Sequence, residues 1–358
     1  MLQDLIEQAE QTLRLPEIIG ERCVHSHIEN ASCRSCVDVC PKDAWLLDDE
    51  QLGINPETCD GCGLCAAVCT EGAILHNHEP VVGHWRNRIL ALIACEKTES
   101  SMAEVIPCVH ALGLHNLLAL YRQGCRYLFI STGECSQCPR GEATAIRDRV
   151  GALNAMLEQR GLVPLQFKQL AVDKWRRIEK TLRTLEPQET VTRRNFLRRS
   201  VADAVDKSMQ YSRLQDVEKA EFIPVGEIIP WQDKQDILPY VVQIDPLKCN
   251  GCDACAQLCP HEAISLVADE GKGEGTYFLF KSQSCTGCRI CIDACDQDAV
   301  HVDHWAAQVQ SQLPLTDKKC SACHVSFHLP TKHSSHEKPL CQICTKVNHN
   351  KNLFQVLE

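Results

Sequence analysis

No stretch of this chain approaches the ~20 consecutive apolar residues that a membrane-spanning helix needs. Only 44% of the 358 residues are hydrophobic, mean hydropathy is −0.21, and the expectation is a soluble protein with no transmembrane segment. Basic charge is also in deficit. Lys plus Arg number 37 against 47 Asp plus Glu, a formal charge of −10. That argues against general nucleic-acid binding, which needs a basic footprint, and suits docking onto basic patches of partner proteins. The opening MLQDLIEQAEQTLRL is charged and amphipathic and lacks an apolar signal core, so the expected compartment is the reducing cytoplasm, where disulfides are rare. There is no G-x-G-x-x-G after a strand, no P-loop, and no serine or cysteine nucleophile constellation that outcompetes metal ligation. Flavin and nicotinamide chemistry are left without support.

Cysteine is what the chain has in quantity: 25 residues, 16 of them in two matched pairs of runs. Cys249, Cys252, Cys255 and Cys259 precede Pro260, and Cys285, Cys288, Cys291 and Cys295 follow. Both runs are C-x2-C-x2-C-x3-C, the spacing of bacterial dicluster ferredoxins, in which the fourth Cys of each run ligates the other cluster. Three thiolates on one tight loop cap three corners of a cubane, and the fourth corner faces away from that loop. The sets implied are Cys249, Cys252, Cys255 and Cys295 for one 4Fe-4S cluster, and Cys285, Cys288, Cys291 and Cys259 for its neighbour. Gly251 and Gly287 lie inside the ligand loops, where backbone passing close to a cluster benefits from having no Cβ.

The N-terminal pair is less regular. Cys59, Cys62, Cys65 and Cys69 keep the spacing, but the first run reads Asn30, Cys33, Cys36, Cys40, Pro41, with Asn30 where a thiolate belongs. Cys23, seven residues upstream, is the replacement. The sets become Cys23, Cys33, Cys36 and Cys69, and Cys59, Cys62, Cys65 and Cys40, with a three-iron cluster or a labile corner as the rival at the first. Zinc knuckles would leave surplus thiolates in such runs, and a disulfide framework does not suit the reducing compartment expected above.

Between the modules, RILALIAC, VIPC, HALGLHNLLALYRQG, CRYLFIST, a helical pattern from Glu142 to Gln159, and PLQFKQLAV alternate strand-length apolar runs with helices. This predicts a small parallel α/β domain. Cys95, Cys108 and the pair Cys135 and Cys138 then fall at the carboxyl ends of its strands, where open α/β sheets build their sites. Cys125 opens the third strand and reads as core. The segment, about residues 88 to 172, resembles the delta subunit of methyl-viologen-reducing hydrogenase, through LIACEK, IPCVHALGLHNLLALYRQG and STGECSQCPRG. That likeness implies an iron-sulfur adaptor joining a hydrogenase or formate dehydrogenase to heterodisulfide reductase. The family carries a second Cys just after the first, where this chain has Glu96, Lys97 and Thr98, and it spaces the last pair more widely. Cys95, Cys108, Cys135 and Cys138 are enough for a 2Fe-2S centre, and buried structural cysteines are the alternative.

Residues 173 to 240 read as a basic helical linker. Its Arg193, Arg194, Phe196 and Leu197 look like a twin-arginine motif but stand internally, ahead of an amphipathic stretch. In the tail, Cys320, Cys323, Cys341 and Cys344 form C-x2-C, seventeen residues, C-x2-C, the spacing of a structural zinc site. His324, His328, His333 and His336 between the pairs are alternative ligands, and a further iron-sulfur site or C-x-x-C-H haem attachment are the other readings. The expected order is a helix plus dicluster module (1–80), an α/β domain (81–172), the linker (173–240), a second dicluster module (241–306) and the Cys/His-rich tail (307–358). The functional expectation is a polyferredoxin-type subunit or adaptor that relays single electrons between a dehydrogenase, hydrogenase or reductase and an acceptor. Rival readings are a catalytic iron-sulfur subunit reducing a disulfide or sulfur substrate, and a redox-sensing or maturation factor.

Overall fold

The computed structural model describes residues 15–47, 52–76, 78–98, 105–140, 145–184, 222–231, 235–268, 275–332 and 339–346. The N-terminal helix expected over the first residues, the twin-arginine stretch, His333 and His336 lie outside the described residues. The chain forms two compact units: Met1–Cys23 with Arg34–Ile223, and Val24–Cys33 with Pro224–Glu358. Among the described residues no helix is long and apolar enough to cross a membrane.

The first unit opens with two short antiparallel ribbons. β1 (Glu17–Ile18) pairs with β4 (Ile74–Leu75), and β2 (Trp45–Leu47) pairs with β3 (Leu52–Ile54). Single-turn helices α1 (Ser35–Asp38) and α2 (Leu64–Val68) carry Cys36 and Cys65. Their apolar sides pack with Trp45 and Ile74 into a small core that the cysteines themselves help to fill.

The same unit continues into a six-stranded sheet. β5 (Val81–Trp85) and β6 (Arg88–Cys95) form a hairpin whose two turn residues, Arg86 and Asn87, both have positive φ, as a type I′ turn demands. β6 runs parallel to β7 (Val105–Ile106) and β8 (Tyr127–Ser131), and β8 runs parallel to β9 (Gln166–Gln169). Every residue of β6 from Leu90 to Cys95 is buried, which is why the strand reads as a continuous apolar run and not as an alternation. Helices α3 (Leu114–Arg122) and α4 (Ala145–Gln159) connect the parallel strands. The expected parallel sheet is therefore one side of a mixed one, because β5 and then β10 (Arg183–Thr184) add an antiparallel side. The sheet domain also runs past residue 172. Helix α5 (Val172–Glu179) buries Trp175 completely, at 0% exposure, against Leu90, Leu92 and Phe129. Basic residues around one aromatic hid a core helix inside a stretch that reads as linker.

In the second unit β11 (Ile237–Ile244) pairs with β14 (Val300–Ala307). β12 (Ile264–Val267), β13 (Tyr277–Phe280), β15 (Gln312–Lys319) and β16 (Ser326–Pro330) form an antiparallel sheet in that order. One-turn helices α6 (Ala254–Gln257) and α7 (Ile290–Asp293) carry Cys255 and Cys291. The tail is less separate than its composition implies. Leu313 and Leu315 alternate inward from β15 and join Phe278, Phe280, Val242 and Ile244 in the core around the cluster cysteines. A last short helix, α8 (Gln342–Lys346), carries Cys344.

Candidate metal centres

The second unit brings the eight cysteines of its two regular runs together as two sets of four. Cys249, Cys252, Cys255 and Cys295 line one cavity of about 310 Å3, walled by Ile244, Phe278 and Val300. Cys259, Cys285, Cys288 and Cys291 line another of about 350 Å3. In each, the fourth thiol comes from the other run. The loop from Cys249 to α6 reverses through Gly251, at φ +67°, and Asp253, at φ +63°. A Cβ on Gly251 would come within 2.1 Å of the His328 carbonyl oxygen, so this loop packs backbone to backbone and only glycine fits.

Backbone amides already point at the sulfurs. Gly251 N–H donates to Cys249 Sγ at 3.5 Å, Ala263 N–H to Cys259 Sγ at 3.2 Å and Ala299 N–H to Cys295 Sγ at 3.4 Å. The first unit repeats the pattern: Gly61 N–H donates to Cys59 Sγ and Ala44 N–H to Cys40 Sγ, both at 3.4 Å. There Cys40, Cys59, Cys62 and Cys65 line a cavity of about 310 Å3 with Asp60, Gly61, Gly63 and Trp45. Amides held at i+2 from the first ligand and i+4 from the last mark the two modules as one structural device used twice. Such hydrogen bonds favour charge on sulfur and tune any bound cluster.

Burial acts against that charge. Desolvation pushes Cys62 and Cys255 up to about 12 and Cys249 up to about 11; Asp60 adds to the rise at Cys62, and neighbouring cysteines add repulsion at Cys255 and Cys249. Four thiols converging on one buried cavity fit either a neutral, metal-free state or a cationic iron-sulfur core that holds all four as thiolates. The amides aimed at sulfur fit the second.

Cys23, Cys36 and Cys69 belong to the first unit, while Cys33 closes the Val24–Cys33 segment of the second. In that segment the Asn30 amide donates to the Asp293 carbonyl at 3.4 Å, and Ser32 donates twice to the Asp293 carboxylate, at 2.8 and 2.7 Å.

The α/β sheet assembles a further four-thiol site. Cys95 ends β6, Cys108 stands two residues beyond β7, and Cys135 and Cys138 lie in the turn after β8. All four line one cavity of about 360 Å3 at the carboxyl ends of the parallel strands. Cys125 is apart, fully buried, its Sγ on the Tyr127 carbonyl at 3.1 Å. Two residues that the sequence does not single out line the same cavity. His110 accepts the Ile146 N–H on Nδ1 at 3.3 Å, which places its proton on Nε2. That Nε2 is buried and has no hydrogen-bond partner among the described residues. Arg140, its side chain 9% exposed, forms ion pairs with Asp60 and Glu96. The one hint of Arg140 in the sequence is its place two residues after Cys138.

In the tail the sulfurs of Cys320, Cys323, Cys341 and Cys344 all lie within 4.8 Å of one another. Cys323 and Cys341 are 3.8 Å apart, which is the edge of a tetrahedron built on metal–sulfur bonds of about 2.3 Å. Cys341 N–H donates to Cys320 Sγ at 3.3 Å and Cys344 N–H to Cys341 Sγ at 3.5 Å. The amides of Cys323 and Cys341 bring the Cys320 thiol down to about 5. His328 is engaged elsewhere, its Nε2 2.8 Å from Asp253 Oδ1.

Residues 31–73 and 248–299 each match the family of 4Fe-4S dicluster domains. A "Ferredoxin 7Fe" of Hydrogenibacillus schlegelii is 42% identical over 72 residues, 20% of this chain and 85% of that protein. "Hydrogenase-4 component A" of Escherichia coli K12 is 30% identical over 118 residues, 33% of this chain and 51% of that protein. A "Ferredoxin" of Rickettsia felis is 35% identical over 57 residues, 16% and 48% respectively. This chain thus spans about half the length of the last two.

Proposed function

The chain belongs to the ferredoxin family, and we propose that it is a multi-centre electron relay, a polyferredoxin-type subunit passing single electrons between a partner oxidoreductase and an acceptor. The observation that carries this reading is the interleaving of the second unit's cysteines: each cavity is closed by the fourth thiol of the other run. That arrangement sets two centres side by side, as a carrier of successive single electrons requires. A 4Fe-4S cluster supplies a reversible one-electron couple, with no bond made or broken in the protein.

The proposed ligand sets are Cys249, Cys252, Cys255 and Cys295; Cys285, Cys288, Cys291 and Cys259; Cys59, Cys62, Cys65 and Cys40; and Cys23, Cys33, Cys36 and Cys69. The protein side of the chemistry is holding and tuning. Amides aimed at Cys40, Cys59, Cys249, Cys259 and Cys295 stabilise the reduced, more negative state, and apolar walls keep water from the sulfurs. Cys95, Cys108, Cys135 and Cys138 are assigned a fifth centre of 2Fe-2S type, and the tail thiolates a structural zinc. A hydrogenase or formate dehydrogenase is the partner class that the adaptor-like middle domain favours, and one relative's name places that relative in a hydrogenase.

Anaerobic iron, sulfide and zinc analysis of the full chain tests the assignment. The sets above call for about sixteen irons from the two modules, about two more from the middle site, and one zinc. A three-iron cluster at the Cys23 position would lower the total by one. Fewer than about twelve irons in fully reconstituted protein sinks the paired-module reading. Turnover of a disulfide or sulfur compound by the isolated chain sinks the relay.

A further inference from the structure

Arg140 joins two of the candidate centres of the first unit. It lies two residues beyond Cys138 and lines the cavity of Cys95, Cys108, Cys135 and Cys138. Its Nε donates to Asp60 Oδ2 at 2.7 Å, and Asp60 stands between Cys59 and Cys62 on the wall of the ferredoxin cavity. Its Nη1 donates to Glu96 Oε1 at 2.6 Å, beside Cys95, and to the Pro107 carbonyl at 2.7 Å, beside Cys108. One guanidinium therefore contacts the immediate neighbours of ligands on both sides.

The packing makes the same junction. Cys62, Leu64 and Cys108 form one buried apolar cluster, so a thiol of each cavity shares a contact region with a thiol of the other. The backbones leave no slack there. A Cβ on Gly113 would meet the Ala67 carbonyl oxygen at 2.8 Å, and one on Gly63 would meet Ala111 Cβ at 3.0 Å.

We propose that the ferredoxin centre of Cys40, Cys59, Cys62 and Cys65 and the centre of the α/β domain are one coupled redox pair, with Arg140 as the shared cation that sets both potentials. This rests on the reading above that the middle cavity holds an iron-sulfur centre. In each transfer one centre is oxidised by one electron, the other is reduced by the same electron, and no proton or leaving group is needed. Arg140 stays charged throughout, since guanidinium is not deprotonated in proteins. Its field, little screened in a buried site, favours the more negative reduced state of both neighbours. Asp60 and Glu96 pull the other way, so removing either carboxylate and removing the guanidinium have opposite signs.

The test is an EPR-monitored anaerobic redox titration of the full, reconstituted chain. Arg140→Gln should lower the equilibrium constant for reduction of two centres together, on the order of tenfold each, or about 59 mV for a one-electron couple. Asp60→Asn should raise it, Arg140→Lys should fall between wild type and Gln, and the pair ligated by Cys249 to Cys295 should not move. A shift in only one centre, in none, or in the same direction for Arg140→Gln and Asp60→Asn overturns the proposal. If Arg140→Gln loses iron, the sign of the Asp60→Asn shift decides alone. A wild-type iron content of about sixteen with the middle site empty removes the two-centre reading itself and is told apart by that count.

Discussion

The cross-ligation proposed for the second unit can be tested one thiol at a time. Cys295 belongs by sequence to the run that begins at Cys285, yet it lines the cavity of Cys249, Cys252 and Cys255. Cys295→Ala should therefore damage the centre of the earlier run and spare that of its own. Removing one thiolate of four costs a cubane between one and four irons, depending on whether a three-iron remnant survives. The decisive quantity is additivity, because two changes at one site couple and two changes at separate sites add. Cys295→Ala with Cys252→Ala strikes one cavity twice and should lose no more than about four irons. Cys295→Ala with Cys288→Ala strikes both cavities and should approach a loss of about eight. Anaerobic iron and sulfide quantification, with EPR of the dithionite-reduced protein, reads the difference. If the Cys252 combination loses about eight irons and the Cys288 combination about four, the fourth ligands stay within their own runs and the assignment fails.

Cys23→Ala should remove or convert one cluster of the first module, visible as one to four lost irons, whereas Asn30→Ala gives up a single exposed hydrogen bond to Asp293 and should leave iron content unchanged. Trp175→Ala should cost about 3–5 kcal/mol in chemical denaturation of the first unit, because the indole is fully buried against β6 and β8; a change below about 1 kcal/mol would return this helix to the linker. On the zinc assignment proposed above, the tail should hold zinc at neutral pH and release it to a metallochromic dye on acidification, because protons compete with the metal for the thiolates. Backbone amides favour the Cys320 thiolate, whereas burial and the neighbouring thiols oppose that of Cys344. A tail that takes up no zinc at neutral pH would refute the assignment.

The strand pattern of RILALIAC and the placing of Cys95, Cys108, Cys135 and Cys138 at strand ends were legible because periodicity and run length are local properties. So was the placing of Cys295 and Cys259 in the cavities of the opposite runs, since the motif spacing carries its own geometry. Helix α5 and β10 were hidden because their one fully buried anchor, Trp175, stands among lysines and arginines, and its burial depends on strands some 45 to 90 residues upstream. β15 was illegible for a related reason. Its alternating leucines are few, and only pairing with β13 gives them a core to enter.

The ferredoxin character of both modules and the cysteine runs proposed to serve them were legible in the sequence alone, because thiolate chemistry and loop spacing act over a few residues. What only the tertiary structure decided is which sites stand next to one another. Arg140 meets Asp60 across 80 residues and Glu96 across 44, and Cys62 packs with Cys108. No local pattern encodes such long-range pairings, since they exist only once the sheet and the cluster loops have closed on a common core.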